Sequence, residues 1–202
     1  MLTRLYLLRH GETDWNQKSI FQGQTDIDLN KNGRDEAKKA ADLFQEIALD
    51  QIYSSDLKRA KNTAQIIARK KNLKVRENKQ LQEIGFGDWE GLSFVEIKNQ
   101  YPAQAASWQQ DPIHNSPPAG EKLLDFKARI KNSFAEIINK EQGNKILVVT
   151  HGGVIKVYLT EILSLKVEKF WQFQIDNCSL TELKIYDQDI ILSKLNFTNT
   201  IN

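Results

Sequence analysis

The sequence has little cysteine and no long apolar run. Its one cysteine, Cys178, can form no disulfide within the chain and has no CxxC partner for zinc, so we expect it to be a small buried side chain. No stretch approaches the roughly 18 apolar residues of a membrane span, and the few apolar residues before Arg9 are too short for a signal peptide. We therefore expect a soluble, cytoplasmic protein without a membrane partner.

An excess of one charge sign is also missing. The chain has 28 lysines and arginines against 26 acidic residues, a net charge of +2, and its basic residues are scattered. A nucleic-acid surface needs its basic residues gathered into a patch or stripe. We therefore expect no nucleic-acid partner, whereas a few local cations can still hold one small anionic group.

Short apolar runs alternate with amphipathic segments along the chain. The runs at 3–8, 50–54 and 145–150 are typical of buried strands, and the segments 32–48 and 123–140 carry apolar residues at helical spacing. This alternation predicts an α/β fold with a mostly parallel sheet, in which ligands bind outside the carboxyl ends of the strands. At 202 residues the chain suits a single domain, 1–202, with a modest insertion.

Further elements follow from local signals. Ser54, Ser55 and Asp56 are cap-type residues ahead of a predicted helix that includes Ala60, Ala64, Ile67 and Ala68. An edge strand is predicted near Leu73 to Val75, and a helix at 154–163. The alternating runs SLTELKIY and IILSKL predict a hairpin through Asp187 to Asp189.

The region 84–120 differs from the rest of the chain and is predicted to be an insertion or lid. It contains all four prolines, its helical stretches are short, and within 93–120 its one lysine or arginine is Lys98. Its aromatic residues could contact a substrate, but packing onto the core is the stronger interpretation for any one of them. They are Phe86, Trp89, Phe94, Tyr101 and Trp108.

Two of the three histidines occur in the same setting. His10 and His151 each follow an apolar strand and precede glycine, whereas His114 lies in the polar loop DPIHNSPP and is expected at the surface. A buried structural role is the usual alternative for one such histidine. The repeated setting favours two functional histidines at one edge of the sheet.

Glycines and arginines accompany these histidines. Gly11 and Gly152 are expected to let the backbone turn off the strands and to let a ligand approach main-chain N–H groups. Arg9 offers donors suited to phosphate, and Arg59 falls in the first turn of the helix after the second strand. Together these residues predict a cationic pocket for a group with about two negative charges, of which phosphate is the obvious candidate.

Such a pocket suggests a chemistry. Nearby cations favour a neutral imidazole by lowering its pKa, and a neutral imidazole can attack phosphorus. A departing alkoxide needs a proton donor, and Glu83, Asp88 and Glu90 are the candidates that composition leaves open.

Motifs for metal-dependent phosphate chemistry are weak or missing. Asp26 and Asp28 follow the polar stretch FQGQ rather than an apolar strand, so a capped turn before a helix is favoured over an aspartyl-phosphate site. No HExxH, EF-hand or Walker lysine motif is present.

At this point the sequence resembles the histidine phosphatase superfamily, the phosphoglycerate-mutase-like family. The matching motifs cover nearly the whole chain in order: LLRHGETDWN, FQGQTDIDLN, YSSDLKRAKNTA, LQEIGFGDWEG, PPAGEKLLDF, VVTHGGVIK and DNCSLTEL. The resemblance implies a three-layer α/β/α sandwich and catalysis without a metal or other cofactor.

The resemblance also implies roles for individual residues. It makes His10 the phosphorylated nucleophile and Glu83 the proton donor. The phosphate pocket would be formed by Arg9, Arg59 and His151, and the remaining substrate-binding positions would be Asn16, Gln22, Gly23 and Gly152.

Within the family, hydrolysis is favoured over mutase activity. Relatives that act as mutases carry a longer, more basic insertion, and this chain has SWQQDP where their arginine pair would fall. The compact length and the segments FGDWEG and PPAGE look most like α-ribazole-5′-phosphate phosphatases of cobalamin assembly and their broad-specificity relatives. Ala119 to Lys122 depart from the common PGGES pattern and leave the small phosphorylated metabolite unidentified.

Two alternatives stay open. One is a phosphoglycerate mutase, and the other is a phosphate-binding protein without catalytic activity. An exposed edge strand or lid face would also allow a homodimer.

Overall fold

A six-stranded mixed sheet forms the centre of the computed structural model, which describes residues 1–187 and 189–198. The strands are β1 (Thr3–Arg9), β2 (Gln51–Ser54), β3 (Val75–Glu77), β4 (Lys145–Thr150), β5 (Leu180–Ile185) and β6 (Ile190–Phe197). Their order is β3-β2-β4-β1-β5-β6. The first four are parallel to one another, whereas β5 runs antiparallel to both of its neighbours. The predicted mostly parallel sheet is confirmed.

Helices cover both faces of this sheet. They are α1 (Asp14–Gln17), α2 (Lys31–Leu43), α3 (Lys58–Lys71), α4 (Phe94–Gln100), α5 (Pro102–Gln110), α6 (Leu123–Lys140) and α7 (Gly152–Ile162). Helices α2 and α3 bury their alanine-rich faces on one side, and α6 and α7 pack on the other. This is the α/β/α sandwich that the resemblance implied.

Strand β1 shows why its residues are apolar throughout. Tyr6 and Leu8 point into the α2–α3 layer, whereas Leu5 and Leu7 point into the α6–α7 layer. Successive side chains of a strand alternate between the faces of a sheet, so a strand covered on both faces needs a continuous apolar run. The run therefore ends where the strand leaves the core, at Arg9.

The region 84–120 contains two short helices, α4 and α5, as predicted. Phe86, Trp89 and Trp108 are buried in the same apolar cluster as α6 and α7. Phe94 and Tyr101 are partly buried against that cluster. Packing onto the core thus accounts for most of these aromatic residues.

The predicted helix 32–48 is too long. Helix α2 ends at Leu43, and Phe44, Gln45 and Ile47 form turns in which each N–H bonds to the carbonyl three residues earlier. Phe44 is fully buried and packs edge-on against Tyr6. The apolar residues that extended the helical pattern therefore serve the core from a turn.

The cap predicted for α3 is correct only in part, because Ser55 Oγ accepts from the Leu57 N–H at 3.3 Å but the N-cap is Leu57, which has no capping side chain. The Lys58 N–H instead donates to Asp26 Oδ1 at 2.7 Å. The segment with Asp26 and Asp28 does lead into a capped helix, α2, as predicted. The capping residue is Asn30. A carboxylate 32 residues away in sequence caps α3, which no local pattern indicates.

The edge strand near Leu73 is shifted in the structure. Asn72 adopts a left-handed conformation that ends α3, and the Leu73 N–H still bonds back to Ala68. Strand pairing begins at Val75, opposite Ile52. The C-terminal hairpin is confirmed by the antiparallel pairing of β5 with β6, although Gln188 of its turn lies outside the described residues.

Three further predictions concern the burial of Cys178, the exposure of His114 and the absence of a membrane span. Cys178 is buried and His114 is exposed, as expected. Among residues 1–187 and 189–198, no helix has the length and apolar character to cross a membrane. The end of the predicted domain, 199–202, lies outside the described residues.

Candidate active site

The predicted histidines meet at the carboxyl edge of three parallel strands. Strands β1, β4 and β2 lie side by side and end at Arg9, Thr150 and Ser54. His10, His151 and Ser55 follow directly. The rings of the two histidines are 5.2 Å apart between centroids, so the sheet brings together residues separated by 141 positions.

The His10 ring is held in one tautomer. Its Nδ1 lies 2.7 Å from the carbonyl oxygen of Gly11, which can only accept, so Nδ1 carries the proton. Burial, then Arg59 and Arg9, hold the pKa of His10 well below its usual value of 6.5. His10 is therefore neutral at pH 7, and the lone pair of Nε2 is available.

His151 is fixed through both ring nitrogens. Arg59 Nε donates to His151 Nδ1 at 3.3 Å, so the proton lies on Nε2, which donates to Ser55 Oγ at 2.9 Å. Burial, followed by Arg59 and His10, lowers the pKa of His151 well below 6.5. His151 is also neutral but offers no free lone pair.

Arg59 lies in the first turn of α3, as predicted, and is 1% exposed. Besides His151, its guanidinium donates to the carbonyl oxygens of Thr25 at 2.8 Å and Gly23 at 2.6 Å. Burial lowers its pKa to about 10. Three of its five N–H groups are thus used for positioning, and two remain for an anion.

Arg9 is anchored at one end only. Its Nη1 donates to the Ile175 carbonyl oxygen at 2.7 Å, whereas its buried Nε has no partner among the described residues. Burial lowers the pKa of this guanidinium, and the carboxylates of Glu83 and Asp176 oppose that shift. An unpartnered buried donor of this kind is what a bound oxyanion satisfies.

The explanation expected for Gly11 is wrong. Its N–H donates to Thr63 Oγ1 at 3.1 Å, and a Cβ at Gly11 would clash with the carbonyl oxygen of Gly33 in α2. Glycine is required here by the close approach of α2, not by a ligand. Gly152 packs instead against the Arg9 guanidinium, and a Cβ at this position would lie 3.5 Å from Arg9 Nε.

Geometry separates the three candidate acids. Glu83 lines the cavity with His10, and its Oε2 accepts from the Gly153 N–H at the start of α7, at 2.9 Å. A Cβ at Gly153 would overlap this carboxylate. Glu90 is engaged by Gln24, Thr25 and Phe86, and Asp88 is exposed. Of the three, Glu83 is the one beside the nucleophile candidate.

A cavity of about 230 Å³ collects most of the predicted substrate-binding residues. Its wall contains Arg9, His10, Asn16, Gln22, Gly23, Arg59 and Glu83, together with Ser19, Ile20, Phe21, Phe86 and Trp171. The buried Gln22 Oε1 has no partner among the described residues. His151 and Gly152 are not among these wall residues, although His151 accepts from Arg59 and Gly152 packs against Arg9.

Asn16 is oriented by its neighbours. Its Oδ1 accepts from the N–H and hydroxyl of Thr13 in a capping box, and Asn177 Nδ2 lies 3.4 Å from the same oxygen. Asn177 also donates to the His10 carbonyl oxygen at 3.0 Å. With the oxygen occupied, the Asn16 amide nitrogen is the group left to face an anion.

Three positioning residues were not singled out from the sequence. Ser55 was identified only as a helix cap, and Asn177 only as part of a motif. Arg129 donates to the carbonyl oxygens of Gln80, Gln82 and Glu83 and pairs with Glu121, so it fixes the loop that presents Glu83. Its helical position gave no signal, because an arginine on α6 matches an ordinary solvated face.

The donor set does not resemble a metal centre. Within the described ranges, no three His, Cys, Asp or Glu side chains are grouped as a metal ion requires. The cavity that His10 lines also contains two cations, Arg9 and Arg59, which fit an anion.

Comparison with known proteins places this geometry in a family. Residues 5–198 match the histidine phosphatase superfamily (branch 1). The chain is 32% identical to phosphoserine phosphatase 1 of Hydrogenobacter thermophilus, over 98% of this chain and 93% of that protein. It is 35% identical to glucosyl-3-phosphoglycerate phosphatase of Mycobacterium tuberculosis, over 81% and 77%. The structure of the alpha-ribazole phosphatase from Shigella flexneri superimposes with a TM-score of 0.90 at 27% identity, over 98% of this chain and all of that one.

Proposed function

This chain belongs to the histidine phosphatase superfamily (branch 1) and is a phosphatase; we propose that it hydrolyses phosphate monoesters through a phosphohistidine on His10, without a metal ion. The observation that carries the proposal is the tautomer of His10. Its Nδ1–H is committed to the Gly11 carbonyl, and its Nε2 lone pair is in a cavity that also holds Arg9, Arg59 and Glu83.

In the first step, His10 Nε2 attacks phosphorus and the P–O ester bond breaks. The leaving alkoxide takes a proton from the Glu83 carboxyl group, and the phosphoryl group stays on His10. Positive charge that develops on the imidazole is stabilised by the Gly11 carbonyl at Nδ1. The guanidinium groups of Arg9 and Arg59 stabilise the charge on the phosphoryl oxygens.

The second step reverses these roles. The Glu83 carboxylate takes a proton from water, the water oxygen attacks phosphorus and the P–N bond breaks. Inorganic phosphate leaves, and both His10 and Glu83 return to their starting protonation states. His151 and Gly152 support this step by holding Arg59 and Arg9 in place. Asn16, Gln22 and Gly23 complete the rim of the pocket.

The substrate is proposed to be a small phosphorylated metabolite, with α-ribazole-5′-phosphate as one candidate. Similarity to the Shigella flexneri enzyme supports that candidate, and similarity to phosphoserine and glucosyl-3-phosphoglycerate phosphatases supports broader specificity. A mutase is disfavoured, because Lys98, the one lysine of the insertion, lies over the Phe94 ring and outside the His10 cavity. Location in the cytoplasm and a homodimer stay predictions.

The decisive experiment measures hydrolysis of p-nitrophenyl phosphate in excess chelator, followed by detection of an acid-labile, alkali-stable phosphoenzyme. We expect turnover to persist with chelator and the label to map to His10. Loss of turnover that an added divalent metal restores would overturn metal independence. Binding of phosphate without any turnover would instead support the non-catalytic alternative.

Glu83→Gln tests the proton donor. Turnover of an alkyl phosphate should fall about 10²- to 10⁴-fold, the range typical of general acid–base catalysis, whereas p-nitrophenyl phosphate should lose far less in its first step. Glu90→Gln is the matched control, because Glu90 binds the neighbouring loop and not the leaving group. An equal loss on both substrates in Glu83→Gln would exclude Glu83 as the acid.

A further inference from the structure

A second cavity, of about 490 Å³, adjoins the pocket of His10. The two cavities share Phe21 and Trp171 as wall residues. The rest of the second cavity is lined by Phe94, Trp108, Gln109, Gln110, Pro112 and Glu168. We call it the outer chamber; its volume is within the roughly 300–1,000 Å³ of ordinary small-molecule sites.

Half of the wall residues of the outer chamber are aromatic. Trp171 is 48% exposed, although it packs edge-on against Trp108 with ring centroids 5.4 Å apart. Trp108 is itself fixed against Trp89 at 5.3 Å. A partly exposed tryptophan that is held edge-on by buried aromatic rings presents a rigid flat surface, which suits an aromatic ring.

The charge of the outer chamber differs from that of the inner pocket. Glu168 is its one charged wall residue among those described, whereas Arg9 and Arg59 line the inner pocket. Two ammonium groups lie nearby: Lys98 over the Phe94 ring at 4.8 Å and Lys156 over the Trp171 ring at 5.7 Å. Neither ammonium group is among the wall residues of the outer chamber or of the inner pocket, so a carboxylate in the chamber would meet Glu168 at the wall.

We propose that the outer chamber binds the leaving group of the substrate, and that this group is an uncharged aromatic ring. The proposal rests on the proposed phosphatase function and deepens it by naming the substrate class. Phe21 and Trp171 both belong to the two cavities, and Trp171 is the specificity-determining residue because it is the more exposed of the two, at 48%. Gln109 and Gln110 supply amide groups for hydrogen bonds at the edge of the ring.

The first test compares ethyl phosphate, benzyl phosphate and phosphoglycolate as substrates. These are alkyl esters, so the preference among them reports binding of the leaving group more than its chemistry. We expect kcat/KM for benzyl phosphate to exceed both of the others by about tenfold or more. Equal values, or a preference for the carboxylated ester, would overturn the proposal.

Variants then locate the effect. Trp171→Ala should lower kcat/KM for benzyl phosphate at least fivefold more than for ethyl phosphate, mainly through KM. Tyr186→Ala is the matched control, because Tyr186 is a similarly exposed aromatic residue, at 42%, remote from both cavities. An equal loss on both esters in Trp171→Ala would mean that Trp171 supports the pocket and does not select the leaving group.

Two further variants test the charge argument. Glu168→Lys should raise kcat/KM for phosphoglycolate relative to benzyl phosphate, because it gives a carboxylate a cation in the chamber. Lys156→Gln should leave the ratio of these two values within about twofold. A selective loss of phosphoglycolate turnover in Lys156→Gln would show that this lysine serves an anionic leaving group, and would overturn the proposal.

A binding measurement separates this proposal from the proposed function. Calorimetry with benzylphosphonate, methylphosphonate and phosphonoacetate requires no turnover. Preference for benzylphosphonate in a protein that hydrolyses no ester would overturn the phosphatase chemistry and retain the chamber. Hydrolysis of all esters with no preference for benzylphosphonate would overturn the chamber alone.

Discussion

The two strand-end histidines have the same local sequence pattern and different chemical states. Both follow a strand of the parallel core and precede glycine, and their strands pair directly, with Arg9 opposite Thr150. Among the described residues, the only side-chain hydrogen bond of His10 is to the carbonyl of the next residue, so Nε2 stays open. His151 uses both nitrogens, one on Arg59 of α3 and the other on Ser55, the residue after β2. Long-range partners, not the strand–His–Gly pattern, therefore decide which histidine can act as a nucleophile.

Of the substitutions at the two histidines, removal of His10 should cause the largest loss of activity. His10→Ala deletes the open imidazole lone pair of this pair, so we expect turnover to fall by about 10⁴-fold or more, as for other covalent nucleophiles. Phosphoenzyme labelling should disappear. Circular dichroism and phosphate binding check that the variant still folds, and labelling that survives would assign the nucleophile to another residue.

Removing His151 should have a smaller and different effect. His151→Ala frees the Arg59 Nε and leaves His10 in place, so we expect a loss of about 10²- to 10³-fold, typical of one electrostatic group in a pocket. The label should form slowly and still map to His10. If His151→Ala abolished labelling as completely as His10→Ala, the two histidines would act as one unit and their proposed difference would fail.

The sequence allowed prediction of the fold because the parallel core is locally encoded. Strand β4 and helix α6 have the predicted bounds, since one continuous apolar run and one long amphipathic pattern fix them. Helix α2 is shorter than predicted because Phe44 serves the core from a turn. The ends of elements depend on tertiary contacts, which periodicity does not record.

The candidate site was predictable for the residues that bear the chemistry and not for those that orient them. His10 and Arg59 stand at strand and helix ends, where the topology brings them to one edge. Ser55, Asn177 and Arg129 act through hydrogen bonds to carbonyls or rings that are distant in sequence. Serine, asparagine and arginine are common at turns and surfaces, so their presence in the sequence does not indicate such contacts.

The pH dependence of stability should report the two buried histidines together. Their folded pKa values are lowered, so below about pH 6.5 the unfolded chain gains protons that the folded chain does not. The free energy of unfolding should therefore decrease as the pH falls, by up to about 1.4 kcal/mol per pH unit for each histidine.

Urea unfolding between pH 5.5 and 7.5 measures this slope. His10→Asn and His151→Asn should each remove about half of it, and the double variant should remove most of it. A slope that persists in the double variant would assign the dependence to other groups. If the two variants removed unequal parts of the slope, the difference would show which histidine is harder to protonate in the folded protein.

The smallest loss of activity should come from removing the hydroxyl of Ser55, which binds the second ring nitrogen of His151. Ser55→Ala leaves the buried Nε2–H of His151 without an acceptor, which costs about 1–3 kcal/mol of stability for an unsatisfied buried polar group. The ring remains tied to Arg59 by Nδ1, so we expect kcat/KM to fall less than in His151→Ala, by about three- to tenfold. Ser54→Ala is the matched control, because this neighbouring buried serine donates to the Ser55 carbonyl and, within the described part of the chain, forms no side-chain hydrogen bond with His151. If the two serine variants lost the same activity, the hydroxyl at Ser55 would not be what orients His151, and Arg59 alone would account for its fixed ring.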